Sequence, residues 1–168
     1  FPGVKALSNV DIGIKRGAVH ALVGANGAGK STLMNILSGL DKNYSGEILI
    51  NGEKIKFRSV YDAIKKGVSM IHQELNYIPY MTIAENIFLG RELSSKIPFF
   101  ISDKKLISES KNILNNFNIN INPKTRMKDL NVAQKQLIEI LKAISTNSRL
   151  IIMDEPTTAL SLDEVNLL

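Results

Sequence analysis

Apolar positions change their spacing along the chain, and the changes divide it into strands and helices. Val4, Leu7, Val10, Ile12 and Ile14 alternate loosely, which predicts extended chain with one face buried, interrupted at Gly17. Residues 18–23 form a short apolar strand around His20, then a glycine-rich turn, then Leu33, Met34 and Leu37 at helical spacing up to Gly39. Residues 47–57 read as a hairpin, because Asn51-Gly52 supplies the two positive-φ positions of a two-residue turn. A short helix from Ser59 to Gly67 and a strand over 68–71 follow.

From Pro79 to about Thr146 no stretch reads as a strand. Thr82 and Glu85 form a capping-box pattern at a helix start that Gly90 closes. Leu106, Ile113, Leu114 and Phe117 share one helical face, as do Leu137, Ile140, Leu141 and Ile144, with an asparagine-rich helix end and loop over 115–122. Residues 150–153 are a fully apolar strand ending in Asp154-Glu155. The pattern predicts one α/β domain in three parts: an antiparallel β part (4–16 and 46–57), a parallel core (18–45, 58–79 and 147–168) and a helical part (80–146).

The 168 residues, 44% apolar, suffice for one domain. Because the chain opens at Phe1 and stops at Leu168 inside a helical pattern, it is expected to be a piece of a longer protein. No cysteine is present, which excludes disulfides and cysteine-ligated zinc and favours a reducing compartment. Even the dense 97–101 cluster is far too short to cross a membrane, and no signal peptide is visible. The net charge of +5 is scattered, as on a solvated basic surface.

Gly24-Ala25-Asn26-Gly27-Ala28-Gly29-Lys30-Ser31, followed by Thr32, fits G-x-x-x-x-G-K-[ST] between a strand and a helix. Glycines let such a loop turn successive amides toward phosphate oxygens, and the helix start adds its positive end. Lys30 is then expected to reach the β- and γ-phosphates and Ser31 to ligate magnesium. Asp154 and Glu155 close an apolar strand, where ligands gather in open parallel sheets. Asp154 is expected to hold the magnesium shell and Glu155 to polarise the attacking water.

With a helical region between these two motifs, the chain resembles an ATP-binding cassette ATPase of the P-loop NTPase fold over essentially its whole length. The resemblance implies that Gln73, in Ile71-His72-Gln73-Glu74-Leu75, contacts magnesium and senses membrane subunits. It implies that Leu130-Asn131-Val132-Ala133-Gln134 stands where the family carries L-S-G-G-Q, with Asn131 and Gln134 toward the γ-phosphate of an opposing cassette. Phe1 takes the place of the aromatic that stacks on adenine.

Within the family the runs 1–7, His72-Gln73-Glu74-Leu75-Asn76, 85–91 and 153–157 look like monosaccharide importers of the galactose/methyl-galactoside or ribose kind, first cassette. That likeness implies ATP and Mg2+ as ligands and transmembrane permease subunits as partners. Through them it implies an extracytoplasmic sugar-binding protein, with a second cassette in the same full-length chain and a place at the cytoplasmic face of the membrane.

Two departures stand out: Val132 and Ala133 replace the signature glycines, and Ala159-Leu160-Ser161 lacks the family's aspartate. The family's switch histidine is expected beyond the chain end, and His20 and His72 are expected to pack structurally. The alternative is a cassette ATPase acting on nucleic acid or ribosomes, although no basic run interleaved with aromatics is present. A GTPase or small-molecule kinase fits less well, because no N-K-x-D motif occurs. A non-catalytic regulatory domain is the third possibility.

Overall fold

The computed structural model describes residues 5–91 and 102–156. The chain divides into two compact units, Phe1–Val68 and Ser69–Leu168.

In the first unit, α1 (Lys30–Leu37) follows the glycine-rich turn and ends where Gly39 takes a φ of 76°. β1 (Ile48–Ile50) and β2 (Glu53–Ile55) pair antiparallel, Ile48 opposite Ile55 and Ile50 opposite Glu53. Asn51 and Gly52 turn the hairpin at φ 54° and 82°, the two left-handed positions expected from the sequence. α2 (Val60–Lys65) starts at Ser59, whose hydroxyl accepts from the Asp62 amide. The Asp62 carboxylate in turn accepts from the Arg58 amide, which holds its pKa below the usual range, with Lys66 adding to the effect.

The expected strands over 4–16 and 18–23 are not formed. Residue 4 lies outside the described residues, and nothing from 5 to 25 is in a strand. Apolar alternation reports which positions could be buried, but a strand exists only when a neighbour completes its hydrogen bonds. No such neighbour pairs with this stretch among the described residues, and Val19 and Val23 are 100% and 89% exposed.

The second unit is built around α5 (Val132–Ile144). Before it come α3 (Ile83–Ile87), α4 (Asp103–Asn116) and a 3-10 turn over Met127–Asp129, and after it β4 (Leu150–Met153). The only strand-like pairing between 80 and 146 among the described residues is a single bridge, Thr82 to Arg126. β4 pairs in a parallel sheet with β3 (Val68–Ile71).

One side of α5, with Leu137, Ile138 and Leu141, packs with Ile83, Ile87, Leu106, Leu114 and Met127 in a closed apolar cluster. Each such side chain contributes about 1.5–3 kcal/mol on full burial. The other side, Ile140 and Ala143, packs with Ile71, Ile144 and Ile151. α5 thereby joins the helical cluster to the two strands whose ends carry the candidate chemistry. Ser69, Thr146 and Ser148 tie the strand base with hydroxyl contacts of 2.5–2.9 Å.

Candidate functional site

The phosphate-loop motif lies in the first unit. Residues 24–28 are exposed, Ala28 N donates to Ala25 O at 3.2 Å, and Gly27 and Gly29 turn at φ 80° and 87°. A side chain at Gly29 would meet Ala6 O and Leu7 Cδ2, each at 2.7 Å, so this position demands glycine for space as well as for φ. Lys30 Nζ folds back over the loop and donates to Gly24 O at 2.6 Å and Ala25 O at 3.0 Å.

The start of α1 is open to an anion. α2, α3, α4 and α5 each have a side-chain cap, from Ser59, Thr82, Ser102 and Asn131, whereas Gly29 offers α1 none. The first intrahelical bond runs from Leu33 N to Gly29 O at 2.9 Å, so the Lys30, Ser31 and Thr32 amides precede it. Ser31 is exposed and Thr32 half-buried.

The carboxylates lie in the second unit. Asp154 N donates to Ile71 O at 3.0 Å, aligning the ends of β3 and β4. Beyond those ends the strands bring together two residues 82 apart in sequence: Gln73 Nε2 donates to Glu155 Oε2 at 3.4 Å. Glu155 is exposed and turns at φ 47°, a left-handed conformation uncommon outside glycine and asparagine, and Asp154 is half-buried. No group of three or more His, Cys, Asp or Glu side chains clusters among the described residues.

The signature segment forms the start of α5. Asn131 Oδ1 accepts from Gln134 N at 2.8 Å, and Gln134 Oε1 accepts from Asn131 N at 3.1 Å, a complete capping box. The pattern N-x-x-Q carried this signal, which the sequence reading applied only to Thr82 and Glu85. Each side-chain oxygen thus accepts from the other residue's backbone amide, and Val132 stands 58% exposed at the helix tip.

His20 is exposed on unpaired chain, so the expectation that it packs in a core strand is corrected by the same missing partner; His72 is half-buried. Phe1, residues 97–101, Thr157 and Ala159-Leu160-Ser161 lie outside the described residues. Two features escaped the sequence reading: the Asn86 side chain, fully buried with three hydrogen bonds, and the lysines of α5.

The ABC transporter family profile matches residues 7–158. A relative from Halalkalibacterium halodurans is 54% identical over 98% of this chain and 32% of its own. The galactose/methyl galactoside import ATP-binding protein of Clostridium perfringens is 48% identical over 99% of this chain and 32% of its own. The chain thus spans about a third of the length of the curated relatives it matches.

A nucleotide-free ATP-binding cassette from an ABC transporter superposes with a TM-score of 0.83 at 25% identity, covering 99% of this chain and 69% of that one. A dimeric cassette in a post-hydrolysis state, bound to ADP and Pi, gives 0.77 at 27% identity, covering 96% and 71%. The glycine-capped phosphate loop, the two carboxylates closing β4 and a profile match over 7–158 place this chain in the ABC transporter family.

Proposed function

We propose that this chain is the ATP-binding and ATP-hydrolysing part of a monosaccharide importer of the galactose/methyl-galactoside or ribose kind, working at the cytoplasmic face of a membrane. The observation that carries it is the start of α1, left without a side-chain cap and roofed by the Lys30 ammonium. Free amides, a helix N-terminus and a fixed cation together make a phosphate site. In this reading the amides of Gly24, Ala25, Asn26, Gly27 and Gly29, with those of Ser31 and Thr32, hold the phosphates, and the bond from Ala28 N to Ala25 O shapes the loop. Lys30 balances their charge, and Phe1 stacks on adenine.

A bound Mg2+ would supply positive charge at the phosphate oxygens. A hydroxyl, an amide and a carboxylate suit this ion, which keeps most of its waters and takes few protein ligands. From the family resemblance, Ser31, Gln73 and Asp154 are each proposed as a ligand of this ion. Glu155 accepts the proton of the attacking water, and the Gln73 amide orients that carboxylate from one side. ATP and water become ADP and phosphate.

Asn131 and Gln134 are proposed to serve a second cassette, whose nucleotide they face across a dimer; the ADP- and Pi-bound structural relative is itself dimeric. Their side-chain oxygens are engaged by each other's backbone amides, so what these side chains offer is their N–H donors. The further partners proposed are transmembrane permease subunits and, through them, an extracytoplasmic sugar-binding protein. No observation favours the alternative of a nucleic-acid or ribosome ATPase. The test is reconstitution of the full-length protein with its membrane subunits in vesicles. ATP-dependent uptake of galactose, methyl galactoside or ribose is expected, and ATPase activity stimulated by nucleic acid but not by membrane subunits would overturn the reading.

A further inference from the structure

Lys128, Lys135 and Lys142 are seven residues apart and meet one stretch of chain in reverse order. Lys142 Nζ donates to Asn76 O at 3.4 Å, Lys135 Nζ sits 5.2 Å from the centre of the Tyr77 ring, and Lys128 Nζ lies 5.2 Å from that of Tyr80. Asn86 holds Ile78 through both its amide and its carbonyl, Lys128 N donates to Pro79 O at 2.9 Å, and Met127 N donates to Met81 O at 3.0 Å. Every residue from 76 to 81 is thereby attached to α3, to α5 or to the 3-10 turn before α5. The attachment ends at Asn76, three residues beyond Gln73.

The lysine at that end is itself held from below. Among the described residues Glu139 Oε1 is buried without a hydrogen-bond donor, and Lys142 Nζ lies 3.6 Å from it. The Glu139 side chain is only 13% exposed. A carboxylate buried this way costs stability that a neutral side chain of the same shape avoids. Burial accordingly pushes the Glu139 pKa up, against the pull of Lys142. The pair therefore does little for folding, but it fixes an ammonium beside the Asn76 carbonyl.

We infer that Lys142, seated on Glu139, is a positioning residue for Gln73: it anchors the chain at Asn76 and so sets where the Gln73 amide reaches Glu155. The stretch 72–76 is pinned at its other end by the Asp154 N to Ile71 O bond, and Gln73 itself is exposed, with its side chain turned to Glu155. Loosening Asn76 frees one end of a short tether, and Gln73 loses its fixed approach. This inference rests on the ATPase reading for its kinetic consequence only.

The test compares Glu139→Gln/Lys142→Met with Glu139→Gln alone in the full-length protein. The double variant removes the ammonium without stranding a buried carboxylate. By amide hydrogen exchange without nucleotide, residues 73–76 are expected to exchange several-fold faster in the double variant, while α5 keeps its protection. In ATP hydrolysis its kcat is expected to fall about tenfold, with ATP affinity changed less than about twofold. Glu139→Gln/Lys142→Arg should restore both readouts.

In a Gln73→Ala background the same change should have no further effect on kcat. Unchanged exchange at 73–76, or kcat losses that multiply in the Gln73→Ala background, would overturn the inference. A full-length wild type without ATPase activity would count against the activity reading instead, and the exchange comparison would then decide the positioning role alone.

Discussion

Two fully buried polar side chains in the second unit make opposite predictions about stability. Asn86, on α3, is 0% exposed; its Oδ1 accepts from Ile78 N at 2.8 Å, and its Nδ2 donates to Ile78 O at 3.2 Å and Thr82 O at 3.0 Å. Ser110, on α4, is also 0% exposed, and its Oγ has no hydrogen-bond partner among the described residues. Asn86→Leu keeps the volume and deletes three bonds, each contributing about 0.5–1.5 kcal/mol net. The added apolar contact returns part of this, and Ile78 is 38% exposed, so water can reach some of what is stranded. The expected loss is about 2–4 kcal/mol.

Ser110→Ala removes a hydroxyl that gains nothing from burial and substitutes a better helix former, for a gain of about 1 kcal/mol. Urea unfolding followed by circular dichroism measures both, and an unchanged slope would show that the change is in stability and not in compactness. Shifts of the same sign, or a loss below about 0.5 kcal/mol for Asn86→Leu, would refute the claim that satisfaction of hydrogen bonds decides the effect of these two groups.

Other expectations follow from single positions. Gly29→Ala should lower stability and nucleotide affinity more than Gly27→Ala. Both residues sit at positive φ, costing about 1–2 kcal/mol for a side chain, but only the first meets backbone and side-chain atoms at 2.7 Å. Thermal unfolding and ATP titration of the two variants check this, and equal losses would contradict it.

Glu139→Gln should change the pH dependence of stability. Because burial raises the Glu139 pKa above its ordinary 4.5, the folded wild type binds the proton more tightly than the unfolded chain. Its stability therefore falls as pH rises from the ordinary value through the raised one. The variant lacks this term, so its stability relative to wild type should grow across that window and then level off, as read by melting temperature at a series of pH values. A constant difference would contradict it.

What the sequence disclosed was mostly local. Asn51-Gly52 specified a turn because few residues tolerate two left-handed positions, and Thr82 with Glu85 specified a helix start because the donors they satisfy are adjacent. The strand over 150–153 was legible from its unbroken apolar run, and the faces of α4 and α5 from their period. What failed was non-local. The alternation over 4–16 and the apolar run over 18–23 foretold strands, but pairing depends on partners the pattern does not name, and 5–25 forms no strand.

The candidate site followed the same division. Phosphate-loop glycines were readable because their backbone demands are their own. The contact of Gln73 with Glu155 joins positions 82 apart, and only the resemblance placed both at one site. The cap that Asn131 gives α5, its side-chain oxygen accepting from the Gln134 amide, was not read.

The functional proposal gives Lys30 a role in nucleotide binding and Glu155 a role in chemistry. It is tested most directly by measuring ATP affinity and steady-state hydrolysis of Lys30→Ala and Glu155→Gln in the full-length protein. Lys30→Ala removes the cation that lies over the loop and should weaken ATP binding itself. Glu155→Gln keeps size and hydrogen bonding but cannot accept a proton. It should bind and retain ATP while turnover falls by roughly a hundredfold or more, as loss of a general base does. Equal loss of ATP affinity in both variants, or undiminished turnover in Glu155→Gln, would contradict the account.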